Sequence, residues 1–534
     1  MAAESGKIDP MHQFAIEPLF GTDHLAVGGY NIAFTNSALW MVITAVVLWI
    51  FVAGGMKRQL VPGRWQMAVE FFTGFINKLL LAGLISERIN PTFESMFSVG
   101  VDEMSWDDLN EANYNWPTVA ELTAYRDRVR AVVDDVIRHA PLTLPVNWHN
   151  PWWAIIMGIE HERIHLETSS VLMRQHALHY VQPLPAFSPC TVSGEAPVNT
   201  LVPVSTGHTR LGKPHDDPTY GWDNEYAGRE VSVAAFQASR HLVSNAEFRE
   251  FVDAGGYRND AVWTDEGLGW RRYTKAEHPT FWLRDGGHWK LRLMAEEIPM
   301  PWDWPVEVNY HEAKAFCNWK AATTGQKVRL PTEDEWYRLY DVAGLVEVPA
   351  QAKATANLHL DHFASSCPVT QFAHGDFFDV VGNVWQWTET PIYPFEGFDV
   401  HPVYDDFTTP TYDGRHNLMK GGSWISCGNE TLRSSRYAFR RHFFQHAGFR
   451  YVVSDTDATA HQLGIKAALG QQEHGRCTAP AGIAIDPVFA RRIQGLRQGP
   501  QACQRNVHRT RPVAALELAG QAHIDQPYIR VDLR

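Results

Sequence analysis

The chain has 534 residues, enough for about three or four domains. Hydrophobic residues make up 45% and charged residues 20%, which excludes a wholly disordered chain, and 39 Gly with 31 Pro exclude collagen-like and low-complexity sequence. With 47 basic against 60 acidic residues the formal charge is −13, and the absence of a long Lys/Arg run argues for no nucleic-acid partner.

The first element is an apolar run at 38–56 with 19 uncharged residues, the length of a spanning helix. Lys57 and Arg58 follow it, so the run predicts membrane contact with the catalytic body on the cytoplasmic side. From residue 77 the text becomes that of a soluble protein. An amphipathic helix is predicted over 117–140, with Val119, Leu122, Val129, Val132, Val133 and Val136 at helical spacing and Thr118 at its start. A second helix is predicted over 150–178, and the two suggest a helical bundle across 77–182. Pro-rich text at 183–203 reads as a linker.

Residues 204–455 read as a loop-dominated body with clear helices at 243–256 and 309–325. Within it, RLPTEDEW predicts a helix start with Thr332 as N-cap and Glu335 closing a capping box. The 20 Trp point to an aromatic-packed interior. The tail, 456–534, shows little periodicity. The fold class is therefore α+β, helical first and loop-rich second. Six cysteines without C-x-x-C spacing predict reduced thiols rather than a zinc knuckle.

The sharpest chemical feature is His161-Glu162-Arg163-Ile164-His165. Two imidazoles four residues apart share one helix face and can grip one metal ion. The same text meets the zinc-protease form, with Glu162 as base. Glu167 lies about 120° off the face of His161 and suits helix packing better than ligation. A second set of segments, RLPTEDEW, GNVWQWT, GGSW and GFR, reads as turns and aromatic pins.

Together the four segments resemble the formylglycine-generating-enzyme-like fold, a C-type-lectin-like architecture. The upstream EHERIHLETSSVLMRQ resembles the DinB-like four-helix domain joined to that fold in sulfoxide synthases. VGVDEMSWDDLN, MGIEHERIHLETSSVL, TPIYPFEGF and RYAFRRHFFQHAGFRYV are most similar to the 5-histidylcysteine sulfoxide synthases of ovothiol biosynthesis. The ergothioneine-pathway synthases rank second. A formylglycine-generating oxidase ranks lower, because only Cys427 follows GGSW. Residues 11–76 resemble the start of ATP synthase subunit a, so 1–76 reads as a graft on an unrelated body.

The resemblance implies a non-haem Fe(II) enzyme joining cysteine sulfur to the imidazole of histidine, using O2. It implies His161 and His165 as metal ligands and Tyr404 or Tyr393 as the catalytic tyrosine. Arg440 and Arg441 become candidates for a substrate carboxylate. The family's third iron histidine belongs upstream, where the subunit-a-like text stands, and no histidine occurs between His24 and His139. An inactive, membrane-tethered binding module is therefore a rival reading. Residues 456–534 lack the strand and Gly-rich turn of a methyltransferase, so no S-adenosylmethionine binding is expected.

Overall fold

The computed structural model describes residues 26–27, 30–31, 79, 81–96, 117–346, 355–404 and 407–454. The apolar run at 38–56 and the tail from 456 lie outside the described residues. Among the described residues no helix is long and apolar enough to cross a membrane.

The helical part contributes a short helix α1 (Pro91–Met96) and two long ones, α2 (Val119–His139) and α3 (Trp153–Gln175). Thr118 caps α2: its hydroxyl accepts from Glu121 N, and the Glu121 carboxylate accepts from Thr118 N. That reciprocal box stops the helix from unwinding at the predicted residue. The buried face of α2 is Tyr125, Val129 and Val136, which share a core with Leu79 and with Trp153, Ile155 and Met157 of α3. Val119, counted on the apolar face in the sequence, is 68% exposed because it sits in the first turn, before the helix meets its neighbours.

The second part is built from short strands and many turns. One sheet takes β1 (Leu201–Val204), β4 (Phe236–Ser239), β8 (Val328–Arg329) and β13 (Val452–Val453) in the order β8-β13-β4-β1. Its neighbours in sequence, β2 (Gly207–Leu211) and β3 (Arg229–Val233), form a separate hairpin. A three-stranded meander, β5 (Trp282–Asp285), β6 (His288–Arg292) and β7 (Glu297–Pro299), lies between helices α5 (Asp265–Thr274) and α6 (Tyr310–Thr324). The other four-stranded sheet carries the signature segments. Its order is β11-β10-β9-β12, from β9 (Trp385–Pro391), β10 (His416–Lys420), β11 (Tyr437–Arg440) and β12 (Ala447–Gly448).

Helices α4 (Asn245–Asp253), α6 and α7 (Glu333–Val342) fall inside or beside the predicted ranges. Thr332 and Glu335 make the predicted capping box of α7. The Pro-rich text read as a linker is in part attached to the second domain. Cys190 N donates to Ser365 Oγ at 2.9 Å, Gly194 N and Ser193 Oγ donate to Asp303, and 201–204 form strand β1. Proline removes donors but suits an extended edge, so this text pairs rather than swings free. Cys190, Cys317, Cys367 and Cys427 are free thiols.

The two parts are joined through one face of α3. Glu160, Glu167, Ser170 and Arg174, spaced seven, three and four residues apart along one side of the helix, are all buried against the second domain. A charged residue survives there only when partnered. Arg174 pairs with the buried Glu307, and Ser170 Oγ meets His446 Nε2 at 2.7 Å.

Candidate active site

His161 and His165 lie on α3, rotated away from the face that grips the second domain. Their ring centroids are 4.6 Å apart and the rings are nearly perpendicular. Both are half-buried, and burial pulls the His165 pKa down, which favours the neutral imidazole that binds metals. Glu162 is exposed, turned off that face.

Facing the pair is a loop from the second domain. The Tyr404 hydroxyl stands 3.4 Å from His161 Nε2. Behind Tyr404, Trp222 stacks on Phe407 at 3.8 Å between centroids, and the Trp222 indole N–H donates to Tyr437 Oη at 2.8 Å. Near the N-terminus of α3, His401 stacks on Trp153 at 3.5 Å and bonds the Trp148 carbonyl through Nε2. Burial pushes His401 down to about 4, so it stays neutral and acts as an aromatic plug under the same loop.

The position of α3 is set by the signature segments. The Glu167 carboxylate accepts from Trp385 Nε1 at 2.7 Å, from Ser423 Oγ at 2.9 Å and from Ser426 Oγ at 2.7 Å. Burial pushes the Glu167 carboxyl upward against the pull of these donors and of His446. Two turns earlier, Glu160 accepts from Asn429 N and from Arg163. Gly428 faces this pair: a Cβ there would come within 1.7 Å of Arg163 Nη1, and its φ of 62° also favours glycine.

The sequence-derived candidates separate in space. His161, His165 and Tyr404 come together. Tyr393 is buried elsewhere, its hydroxyl accepting from Arg229 Nη2 at 2.9 Å and its carbonyl from Arg436 Nη1. Arg441 is engaged by Asn417 Oδ1, the Gly414 carbonyl and Glu266, none of which belongs to the histidine face. Arg440 is half-buried at the end of β11, opposite His416 in the strand register. Glu160, Trp222, His401, Phe407 and His446 went unread in the sequence. Glu160 and His446 lie within quoted segments without being singled out, Trp222 and His401 were signalled only by the high Trp and His content, and Phe407 had no signal.

Among the described residues no group of three His, Cys, Asp or Glu is placed to hold a metal ion. The two imidazoles still fit an ion. Two imidazoles bound cis through Nε2 at about 2.1 Å bring their centroids to about 4.5 Å, close to the separation here.

Residues 189–455 match the sulfatase-modifying factor enzyme 1-like domain, and residues 32–169 match the DinB superfamily. Hercynine oxygenase of Mycolicibacterium smegmatis is 31% identical over 386 residues, covering 66% of this chain and 84% of the relative. The chain belongs to the sulfoxide synthase family. A second synthase relative, hercynine oxygenase of Mycolicibacterium thermoresistibile, is 33% identical over 267 residues, 45% of this chain and 55% of that one. The family's fold is the α+β pairing described above, a helical domain followed by a sheet-bearing one, and its members are oxidoreductases. The chain is also similar to ATP synthase subunit a of Novosphingobium aromaticivorans, 72% identical over 95 residues. That match covers 17% of this chain and 36% of the relative.

Proposed function

We propose that this synthase uses Fe(II) and O2 to join the sulfur of cysteine to the imidazole of histidine as a sulfoxide. The single observation that carries the reading is the His161–His165 pair facing the Tyr404 phenol across 3.4 Å. The organisation we propose is a metal-holding helical domain over 77–182, a connecting segment over 183–203 and a catalytic domain over 204–455.

His161 and His165 would hold the iron through neutral imidazoles. Bound Fe(II) would hold the thiolate and supply the one-electron chemistry that O2 needs. The overall change balances: one thiol hydrogen and one ring hydrogen leave, one oxygen atom ends on sulfur, and the other leaves as water. Tyr404 holds a proton at the atom nearest the metal-facing imidazole, where a hydroxyl within reach of the reacting group can deliver it. Trp222 and Phe407 back that phenol with apolar surface and keep water from its ring side. Arg440, half-buried at the end of β11, is the arginine we propose for a substrate carboxylate.

The named substrate of the relatives favours a second reading, in which hercynine replaces histidine. The segments quoted above favour histidine. Purified protein with Fe(II), O2 and cysteine, offered histidine and hercynine in equal amount, tests both. A mass corresponding to 5-histidylcysteine sulfoxide, in excess over the hercynine product, is the expected result. No product from either acceptor would reject activity. His161→Ala and His165→Ala should each lower iron occupancy, and unchanged metal content would remove them as ligands.

A further inference from the structure

We infer that Tyr404 is a third protein ligand of the ion in the substrate-free protein, giving a two-histidine, one-tyrosinate centre. The inference rests on the reading that His161 and His165 hold the metal. Two donors on one ion, each at about 2.0–2.2 Å, lie about 2.9–3.4 Å apart as the angle between them opens from octahedral to tetrahedral. Tyr404 Oη and His161 Nε2 are 3.4 Å apart, long for an O–H···N hydrogen bond and right for two such donors.

The planes of the phenol and the His161 ring stand at 88°, with their centroids 6.0 Å apart, so the two rings do not stack and the contact is made through Oη. Its backbone is fixed one turn from His401, whose stack on Trp153 and bond to Trp148 tie the loop to the start of α3. No other oxygen or sulfur donor among the described His, Cys, Asp and Glu residues completes a set of three. The sequence supplies no histidine from 25 to 138 to do so. Metal coordination takes the phenol proton, just as it deprotonates a bound thiol or water.

Tyrosinate ligation also gives the substrate thiol a way in. The thiol proton moves to the phenolate oxygen, the sulfur takes the position on the ion, and Tyr404 is left as a neutral phenol beside the bound thiolate. One metal–oxygen bond breaks, one metal–sulfur bond forms, and no electron is transferred.

The test uses the full chain loaded with iron, oxidised to Fe(III) without substrate, and its visible spectrum. A phenolate-to-iron charge-transfer band is expected, together with phenolate modes in resonance Raman. In Tyr404→Phe the band should vanish and iron should bind at least about tenfold more weakly. Tyr404→His should restore the affinity without the band, which separates loss of a ligand from loss of folding. Adding cysteine without O2 should bleach the band in the parent protein. If iron is lost in His161→Ala and His165→Ala but the parent shows no band, or Tyr404→Phe keeps it, the tyrosinate is refuted while the metal pair stands. Iron retained in both histidine variants would remove the metal pair and the tyrosinate with it.

Discussion

Replacing Glu167 by Ala should loosen the histidine helix more than any other single change on its buried face. Three donors converge on this carboxylate, from Trp385, Ser423 and Ser426. The two serine hydroxyls lie 3.1 Å apart and can turn toward each other once the acceptor is gone. The Trp385 indole N–H cannot turn, and stranding a buried donor costs about 1–3 kcal/mol. The lost Cγ methylene adds about 0.8 kcal/mol. The sum is about 2–4 kcal/mol, against a total stability of about 5–15 kcal/mol for a typical domain. Glu167→Gln keeps an oxygen for Trp385 and Ser423 and turns an amide toward Ser426, so it should cost only about 1 kcal/mol. Urea unfolding followed by tryptophan fluorescence reads the difference. Iron titration reads its consequence two residues away, at His165. An Ala variant within about 1 kcal/mol of the parent, or indistinguishable from Gln, would refute the anchoring argument.

Three further outcomes are expected. Glu333→Ala strips the fully buried Arg436 guanidinium of its bidentate partner and should cost about 3–5 kcal/mol by urea unfolding. Adding Arg436→Met to it should recover much of that loss, and no recovery would count against desolvation as the cause. Burial raises the Glu312 carboxyl from its ordinary value of 4.5 to about 7, so the fold keeps a proton that the unfolded chain has released. The stability this lends is full below pH 4.5 and declines as pH rises to about 7, by about 3 kcal/mol in all. Glu312→Gln still accepts from Tyr257 and should flatten that decline, and a melting temperature that tracks the parent across this window contradicts the assignment. Arg440→Lys should raise KM for an amino-acid substrate while Arg441→Lys should lower stability instead, and the reverse pattern would exchange their roles.

The sequence exposed the parts governed by short-range rules. The capping boxes at Thr118 and Thr332 depend on residues three apart, so the starts of α2 and α7 can be read directly. The pairing of His161 with His165 follows from helix pitch alone. What stays hidden depends on contacts between residues far apart in sequence. Trp385 and Ser423 look like isolated pins in the text, yet both close on Glu167 from the far side of the chain. Tyr393 and Tyr404 are equivalent as sequence, and only folding sends one to Arg229 and the other to His161. The Pro-rich stretch misleads for a related reason: local composition signals a connector, and the strand partner that captures it lies at 236–239.

The attachment of α3 has a consequence for how much of this enzyme can be exchanged. Among the described residues, the bonds from outside α3 that fasten it at Glu160, Glu167, Ser170 and Arg174 come from sequence downstream of it. Beside that face, Ile159 and Leu166 are each more than two-fifths bare to solvent among the described residues. Its hydrogen bonds thus moor the half-centre to the second domain, while its first turns pack with α2 in a shared core. An exchange that keeps α2, α3 and the downstream domain together therefore keeps the helix's partners, whereas one that divides α3 from residues 423–446 removes them.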